Sequence, residues 1–202
     1  MDKETMKEKG GDEGMKNRVN VRWSRKEDCG EIRNMIQELA EFQNIGNQPT
    51  ITVPILEKEG FGPNPSFRCL VAEYCNDGDD GTAAAVATAT TTKQQPLLGL
   101  LIFMDTFHSF YGRIMHLELW FVREKYRGER VGSKLMERFM QIADGEGIKK
   151  VDFICMEENH SSVKFYKSSG AKSISDDESW IWFRYGEDEI KRMSRGVMKK
   201  DG

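Results

Sequence analysis

The sequence is poor in the features that mark several protein classes. It has four cysteines, Cys29, Cys69, Cys75 and Cys155, and no two of them stand as a CxxC pair. A chain of 202 residues is also long enough to fold without a disulfide framework, so reduced, mostly buried thiols are expected. Its three histidines, His108, His116 and His160, have no metal-ligand spacing, and no metal site is expected. They read as structural or exposed, although His116 falls two residues from Glu118 on one strand face. No apolar run approaches the roughly 20 residues that a membrane-spanning helix needs. The N-terminus is charged and has no apolar core of a secretory signal. A soluble, intracellular, cytoplasmic protein without membrane association is therefore expected. The net charge of -3 gives no basic footprint for nucleic acid. A weakly acidic balance tolerates a cationic small substrate without demanding one.

What is present suits one globular domain with tails. Hydrophobic residues make up 38% and charged residues 31%, enough for both a core and a soluble surface. Residues 1–18 are charged and contain glycine, and read as a disordered tail. Order is expected over 19–193, with a second charged tail at 194–202. The low-complexity stretch 75–95, rich in Gly, Asp, Ala and Thr, reads as a disordered hairpin insertion. Alternation predicts strands at 19–23, 67–74, 97–105, 113–122 and 150–156, with a turn over 106–112. Ser24 with Glu27 three residues on is a capping-box pattern opening a helix through Ile32, Met35, Ile36, Leu39 and Phe42. A short helix follows at 54–60. Leu135, Met136, Phe139, Met140, Ile142 and Ala143 define an amphipathic helix after Gly132, ended by Gly145 and Gly147. Asn159 is a good N-cap for a helix that stops at Gly170. Two closing strands are expected near 171–175 and 180–185, and a short helix at the start of 186–202. The order β-α-α-β-β-β-α-β-α-β gives an α/β fold, a mixed central sheet flanked by helices.

Two stretches carry chemistry. In 126-YRGERVGS-133 a strand runs through a glycine-bearing turn into a helix. The first turn of a helix offers N–H groups that no internal bond uses, and its dipole favours an anion. Gly128 and Gly132 permit close approach, Arg127 and Lys134 add positive charge, and Ser133 adds a hydroxyl. Alone, such a loop is equally an ordinary strand–helix turn. In 159-NHSSVKFYKSSGA-171, Tyr166 lies seven residues after Asn159, two helical turns on. Alone, it reads more readily as a core tyrosine.

Together, R-G-x-x-x-G after a strand and N-x-x-x-x-x-F-Y-x-x-x-G further on resemble the GNAT superfamily of N-acetyltransferases. Within it the chain resembles diamine acetyltransferases, those of spermidine/spermine and of thialysine. The closer match rests on 67-FRCLVAE-73, 60-GFG-62, 116-HLELWFV-122, 126-YRG-128, 132-GS-133 and 164-KFYKSSGA-171, with Glu178 and Trp180 beyond. It covers about 19–193, with a gap at the low-complexity insertion.

The resemblance implies direct acetyl transfer from acetyl-CoA to a primary amine of a small molecule, a diamine, polyamine or thialysine-like compound. It implies that the backbone of Trp120, Phe121 and Val122 pairs with the pantetheine arm between two splayed strands. Arg127, Gly128, Glu129, Arg130, Val131, Gly132 and Ser133 would hold the pyrophosphate, and Asn159, Ser161, Ser162 and Tyr166 would also contact the donor. An alkylammonium loses its proton near pH 10, so it needs a base before it can attack. Glu118 matches the family's base, and Tyr166 the acid that serves the leaving thiolate. A backbone N–H of the same strand would stabilise the oxyanion. Against this, Glu118 reads as a strand-end carboxylate paired with a cation such as Arg113. Phe42, Gln43, Glu118, Asp152, Phe153, Ile154, Glu178 and Trp180 would meet the amine, Trp180 by its ring face or as plain core. The family's usual homodimer is expected as well.

Two departures qualify the match. Arg130 stands where the family loop has a third glycine. It costs energy if that backbone needs a positive φ, and otherwise simply adds a cation near a polyanion. The acidic run that polyamine enzymes carry after the first helix is here 43-QNIGNQ-48, and Leu119 stands where the family has a second acid. Each lost carboxylate weakens attraction for a polycation. A monoamine, a thialysine-like amino acid or an aryl-alkylamine fits better than spermine. A protein N-acetyltransferase, or a catalytically weak or inactive CoA-binding protein of the same fold, are the alternatives.

Overall fold

The computed structural model describes residues 18–46, 49–75, 96–178 and 181–196. The expected N-terminal tail and 75–95 insertion lie almost wholly outside the described residues, as does most of the C-terminal tail. Two compact units are present, Met1–Ile154 and Cys155–Gly202.

The first unit is built on a five-stranded sheet in the order β1-β2-β3-β4-β5. Strand β1 (Val19–Trp23) leads through a single 3-10 turn, Lys26–Asp28, to helix α1 (Cys29–Phe42). Helix α2 (Val53–Phe61), strand β2 (Arg68–Tyr74), strand β3 (Gly99–His108) and strand β4 (Gly112–Val122) follow, then helix α3 (Val131–Gly145) and strand β5 (Val151–Phe153). All ladders are antiparallel except β4 with β5. The mixed sheet flanked by helices is the architecture that the periodicity predicted.

Alternation along the strands builds two cores. Leu70, Ala72, Leu101, Phe103, Met115 and Leu117 face Leu135, Phe139 and Ile142 of α3. Cys69, Val71, Leu100, Ile102 and Phe121 face Ile32 and Met35 of α1 and Leu56 of α2. Burial of these aliphatic and aromatic groups, each worth about 1.5–3 kcal/mol, supplies the main drive to fold. Ion pairs lock the edges. Arg22 of β1 donates to Asp28 at 2.7 Å and to Glu73 at 2.9 Å. Arg123, just after β4, binds Glu31 and Glu38 of α1 and the Leu97 carbonyl.

Several local expectations are corrected. The reciprocal bond of the helix cap comes from Asp28 rather than Glu27: its carboxylate accepts from the Arg25 N–H at 2.6 Å. The β3–β4 hairpin runs longer than the predicted turn at 106–112, because β3 continues to His108 and β4 starts at Gly112, whose φ of 75° suits only glycine comfortably. Of the four thiols, Cys29 and Cys69 are buried, whereas Cys75 and Cys155 are half-buried.

The second unit holds helices α4 (His160–Ser168), α5 (Ile174–Glu178) and α6 (Glu187–Ser194). Neither closing strand is present among the described residues: 174–178 is helical and 181–186 is irregular. The cause at 174–178 is a cap. The Ser173 hydroxyl accepts from the Asp176 N–H at 3.3 Å, and Asp176 and Asp177 fill a first turn that favours acids. The helix expected at the start of 186–202 is α6. Among the described residues no helix is long and apolar enough to cross a membrane.

Candidate active site

The site is set by an irregularity in β4. Pairing of β4 with β5 covers Met115, His116 and Leu117 only, against Val151, Asp152 and Phe153. Beyond Leu117 that edge of β4 has no strand partner among the described residues. On the other edge, Phe103 of β3 stands opposite Leu117 while Ile102 stands opposite Leu119. Glu118 is thus the extra residue of a β-bulge. The bulge shifts the alternation by one. Met115 and Leu117 point to the α3 core, but Leu119 and Phe121 point to the α1–α2 core, and Trp120 and Val122 return to the α3 side. Glu118 therefore sits where both neighbouring ladders change.

Its side chain is 58% exposed and lies 3.4 Å from Nε2 of His116, which is 18% exposed. The sequence reading that paired Glu118 with Arg113 is corrected: Arg113 binds Asp105 at 2.9 Å and Glu146 at 2.6 Å. Asp152 is the register partner of His116 on β5. Val151 and Phe153 pack on the α3 core, so Asp152 projects to the opposite face, the face of His116. Ile154, next along, is exposed.

After β4, a 3-10 turn at Glu124–Tyr126 leads into the loop before α3. Gly128 has φ 87° and Arg130 has φ 63°. Both are in the left-handed region, so the open question about Arg130 is answered: its backbone is strained, and a glycine there would not be. The first intrahelical bond runs from Lys134 N–H to the Arg130 carbonyl at 3.0 Å. The N–H groups of Val131, Gly132 and Ser133 precede it, as an anion-binding helix start requires. A concavity of about 310 Å³ opens here, lined by Trp120, Val122, Tyr126, Arg127, Gly128, Arg130, Val131, Gly132 and Ser133. Eight of these nine belong to the predicted donor-binding set; Tyr126 is the one that sequence reasoning missed. A Cβ on Gly132 would come within 3.1 Å of the Trp120 ring, so glycine keeps the concavity open.

Other members of the predicted set have specific partners. The Glu129 carboxylate accepts from the Tyr74 hydroxyl at 2.7 Å, which ties one acid of the loop to β2. Lys134 donates to the Val19 carbonyl at 2.8 Å; it anchors α3 to β1 instead of lending its charge to the loop. The Arg127 guanidinium lies 4.9 Å over the Phe42 ring and donates to the Val122 carbonyl. Phe42 is thereby joined to the loop before α3, and Gln43 caps α1 beside it.

In the second unit, the Asn159 side-chain oxygen Oδ1 caps α4, accepting from the Ser162 N–H at 3.2 Å and from the Ser161 hydroxyl at 3.0 Å. Tyr166 is half-buried on α4, and burial, with a smaller contribution from Cys155, pushes its phenol up to about 12. Glu178 is exposed on α5. Trp180 lies outside the described residues.

Comparison with known proteins adds the family. Residues 33–171 match the profile described as Acetyltransferase (GNAT) family. Thialysine N-epsilon-acetyltransferase of Mus musculus is 29% identical over 174 residues, covering 86% of this chain and 96% of that protein. Spermidine/spermine N(1)-acetyltransferase-like protein 1 of Homo sapiens is 30% identical over 86% of this chain but 23% of its own length. Among solved structures, an integron cassette protein from the mobile metagenome of V. cholerae aligns with a TM-score of 0.65 at 19% identity, over 90% of this chain and 99% of that one. The matched span runs from α1 to the residue after Gly170 and takes in the bulge at Glu118 and the loop before α3. The chain belongs to the acetyltransferase (GNAT) family and is an acyltransferase.

Proposed function

We propose that the protein transfers the acetyl group of acetyl-CoA directly to the primary amine of a small molecule, a thialysine-like amino acid or short amine, with Glu118 as the base. The observation that carries this reading is the bulge. It presents a carboxylate at the point where the β4–β5 ladder ends. Acetyl-CoA would supply a thioester whose carbon–sulfur bond breaks as the amine nitrogen bonds to the acetyl carbon.

The residues fit such a donor. The N–H groups in the first turn of α3, the glycines at 128 and 132, and Arg127 and Arg130 suit a pyrophosphate. The backbone of Trp120, Phe121 and Val122, past the end of the β4–β5 ladder at Leu117, suits an extended amide-bearing arm. Direct attack is favoured over a route through an acetylated thiol. Burial pushes Cys29 up to about 11 and Cys69 up to about 12, and Cys155 is also raised by burial. Protonated thiols at neutral pH are poor nucleophiles.

Tyr166 meets the leaving sulfur in this reading, with its role as an acid reduced. A phenol near 12 is a weaker acid than a thiol near 8.5, so it serves the leaving sulfur chiefly as a hydrogen-bond donor. The amine class follows from charge. Glu118 and Asp152 offer two carboxylates on one sheet face, whereas the segment after α1 has none, which suits an amine of low charge better than spermine. The thialysine acetyltransferases, matched over nearly their whole length, point the same way. We carry the homodimer forward as part of this reading.

The test is a thiol-release screen with acetyl-CoA over thialysine, lysine, putrescine, spermidine and an aryl-alkylamine. Turnover highest on thialysine or on the aryl-alkylamine is expected. Turnover on spermidine alone would overturn the amine class, and no turnover on any amine would overturn the reading.

A further inference from the structure

We propose that His116 is a positioning residue that acts through Glu118: it aims the carboxylate and takes the amine's proton onward from it. This rests on Glu118 as the base. The working base is then a carboxylate–imidazole pair.

The geometry places the two groups together. Nε2 of His116 is 3.4 Å from Oε2 of Glu118. His116 lies in the last stretch of β4 that is paired on both sides, with Met104 opposite it on β3 and Asp152 on β5. The ring is thus held by two ladders, while Glu118 stands in the bulge. The ring edge, 3.4 Å from Oε2, limits how far the Glu118 side chain can swing toward it, and the other oxygen, Oε1, is left for the substrate. Met104 carries no charge. Asp152 is the register partner of His116 on β5 and shares its face, so the face that receives the proton carries two acidic residues.

The chemistry gives the pair a purpose. An alkylammonium gives up its proton near pH 10 and a free carboxylic acid near 4.3, so direct transfer is uphill by about six pH units. An imidazole, near 6.5, recovers about two of these. With a Brønsted dependence near one half, that is about tenfold in rate. The proton leaves the amine nitrogen for Glu118, directly or through water. Taken up on Oε1, it is brought to His116 by rotation of the carboxyl group and passes to the Nε2 lone pair, which requires the neutral tautomer with hydrogen on Nδ1, and it leaves for solvent at the partly exposed ring. One proton is released to water per acetyl group transferred, and no other reactant is needed.

The test uses the full chain, acetyl-CoA and thialysine, with kcat and KM measured from pH 6 to pH 9.5 for the wild type and His116→Gln. Glutamine can still touch Glu118 but cannot accept the proton. The expected result is a loss of about tenfold in kcat near pH 7, with both KM values within about twofold. The gap should close above about pH 9, where the free amine becomes abundant. A rate ratio that stays constant across pH, or an unchanged kcat, overturns this inference alone. A wild type that acetylates no amine overturns it together with the proposed function. A second readout needs no turnover: the ring resonance of His116, assigned by its loss in His116→Gln, is compared at one pH in the wild type and in Glu118→Gln. A change in chemical shift is expected, and coincident resonances overturn the pair.

Discussion

Arg130 is the position where backbone and ligand make opposite demands, and substitution there separates them. Its φ of 63° and ψ of 11° lie in the left-handed region at the N-cap of α3. A side chain in that conformation costs about 1–2 kcal/mol. Glycine removes this cost but gives back about 0.5–1 kcal/mol through the freedom of the unfolded chain. Alanine keeps the strain and removes only the charge. Arg130→Gly should therefore be about 1 kcal/mol more stable than Arg130→Ala, or roughly 2–4 °C in melting temperature for a chain of this size. Both variants lose a cation beside the first-turn N–H groups of Val131, Gly132 and Ser133, so both should bind acetyl-CoA about tenfold more weakly by calorimetry. Equal melting temperatures would refute the strain argument. Unchanged affinity in both variants would refute a role of the guanidinium at the pyrophosphate. An affinity that rises only in Arg130→Gly would show that the backbone, and not the charge, limits the loop.

Three further outcomes follow from other parts of the structure. Arg123→Ala removes the pairs to Glu31 and Glu38 that join the end of β4 to α1, and should cost about 2 kcal/mol in denaturant unfolding; a cost below about 0.5 kcal/mol would show the network to be solvated. Gly132→Ala puts a Cβ 3.1 Å from the Trp120 ring; acetyl-CoA affinity should fall, while stability stays within about 1 kcal/mol because alanine favours the helix, and unchanged affinity would place the donor elsewhere. Alkali should destabilise the fold: Cys29 is pushed up to about 11, and Cys69 and Tyr166 to about 12, first by burial. Each keeps its proton in the folded chain where the unfolded chain loses it, so their stabilisation is intact below about pH 9 and is lost as pH rises through these values. Melting temperatures from pH 7 to pH 11 should decline, and less steeply in Cys69→Ala; a flat profile would contradict the burial.

Some of this was legible in the sequence because short-range spacing encodes it. The apolar series Leu135, Phe139 and Ile142 fixed α3 and its inward face, and Asn159 announced the cap of α4. The bulge was not legible. Met115, Leu117, Leu119 and Phe121 read as one regular face, and only the register against β3 shows that the face changes at Glu118. The conformation of Arg130 was equally hidden, since an arginine in sequence does not report its φ. Lys134 reads in the sequence as positive charge added at the loop, but its chain is long enough to reach the Val19 carbonyl, a long-range contact that no local pattern encodes. The missed α5 did have a signal: Ser173 with Asp176 three residues on is close to a capping pattern.

The most direct measurement is single-turnover acetyl transfer by Glu118→Gln at pH 7 on the best amine of the screen, with acetyl-CoA affinity measured alongside. If the bulge holds the base, transfer falls by about a hundredfold or more while acetyl-CoA binds as in the wild type, because the loop before α3 is untouched. Transfer within about threefold of the wild type, with the same affinity, would mean that Glu118 takes no proton from the amine, and the account of this site would be wrong.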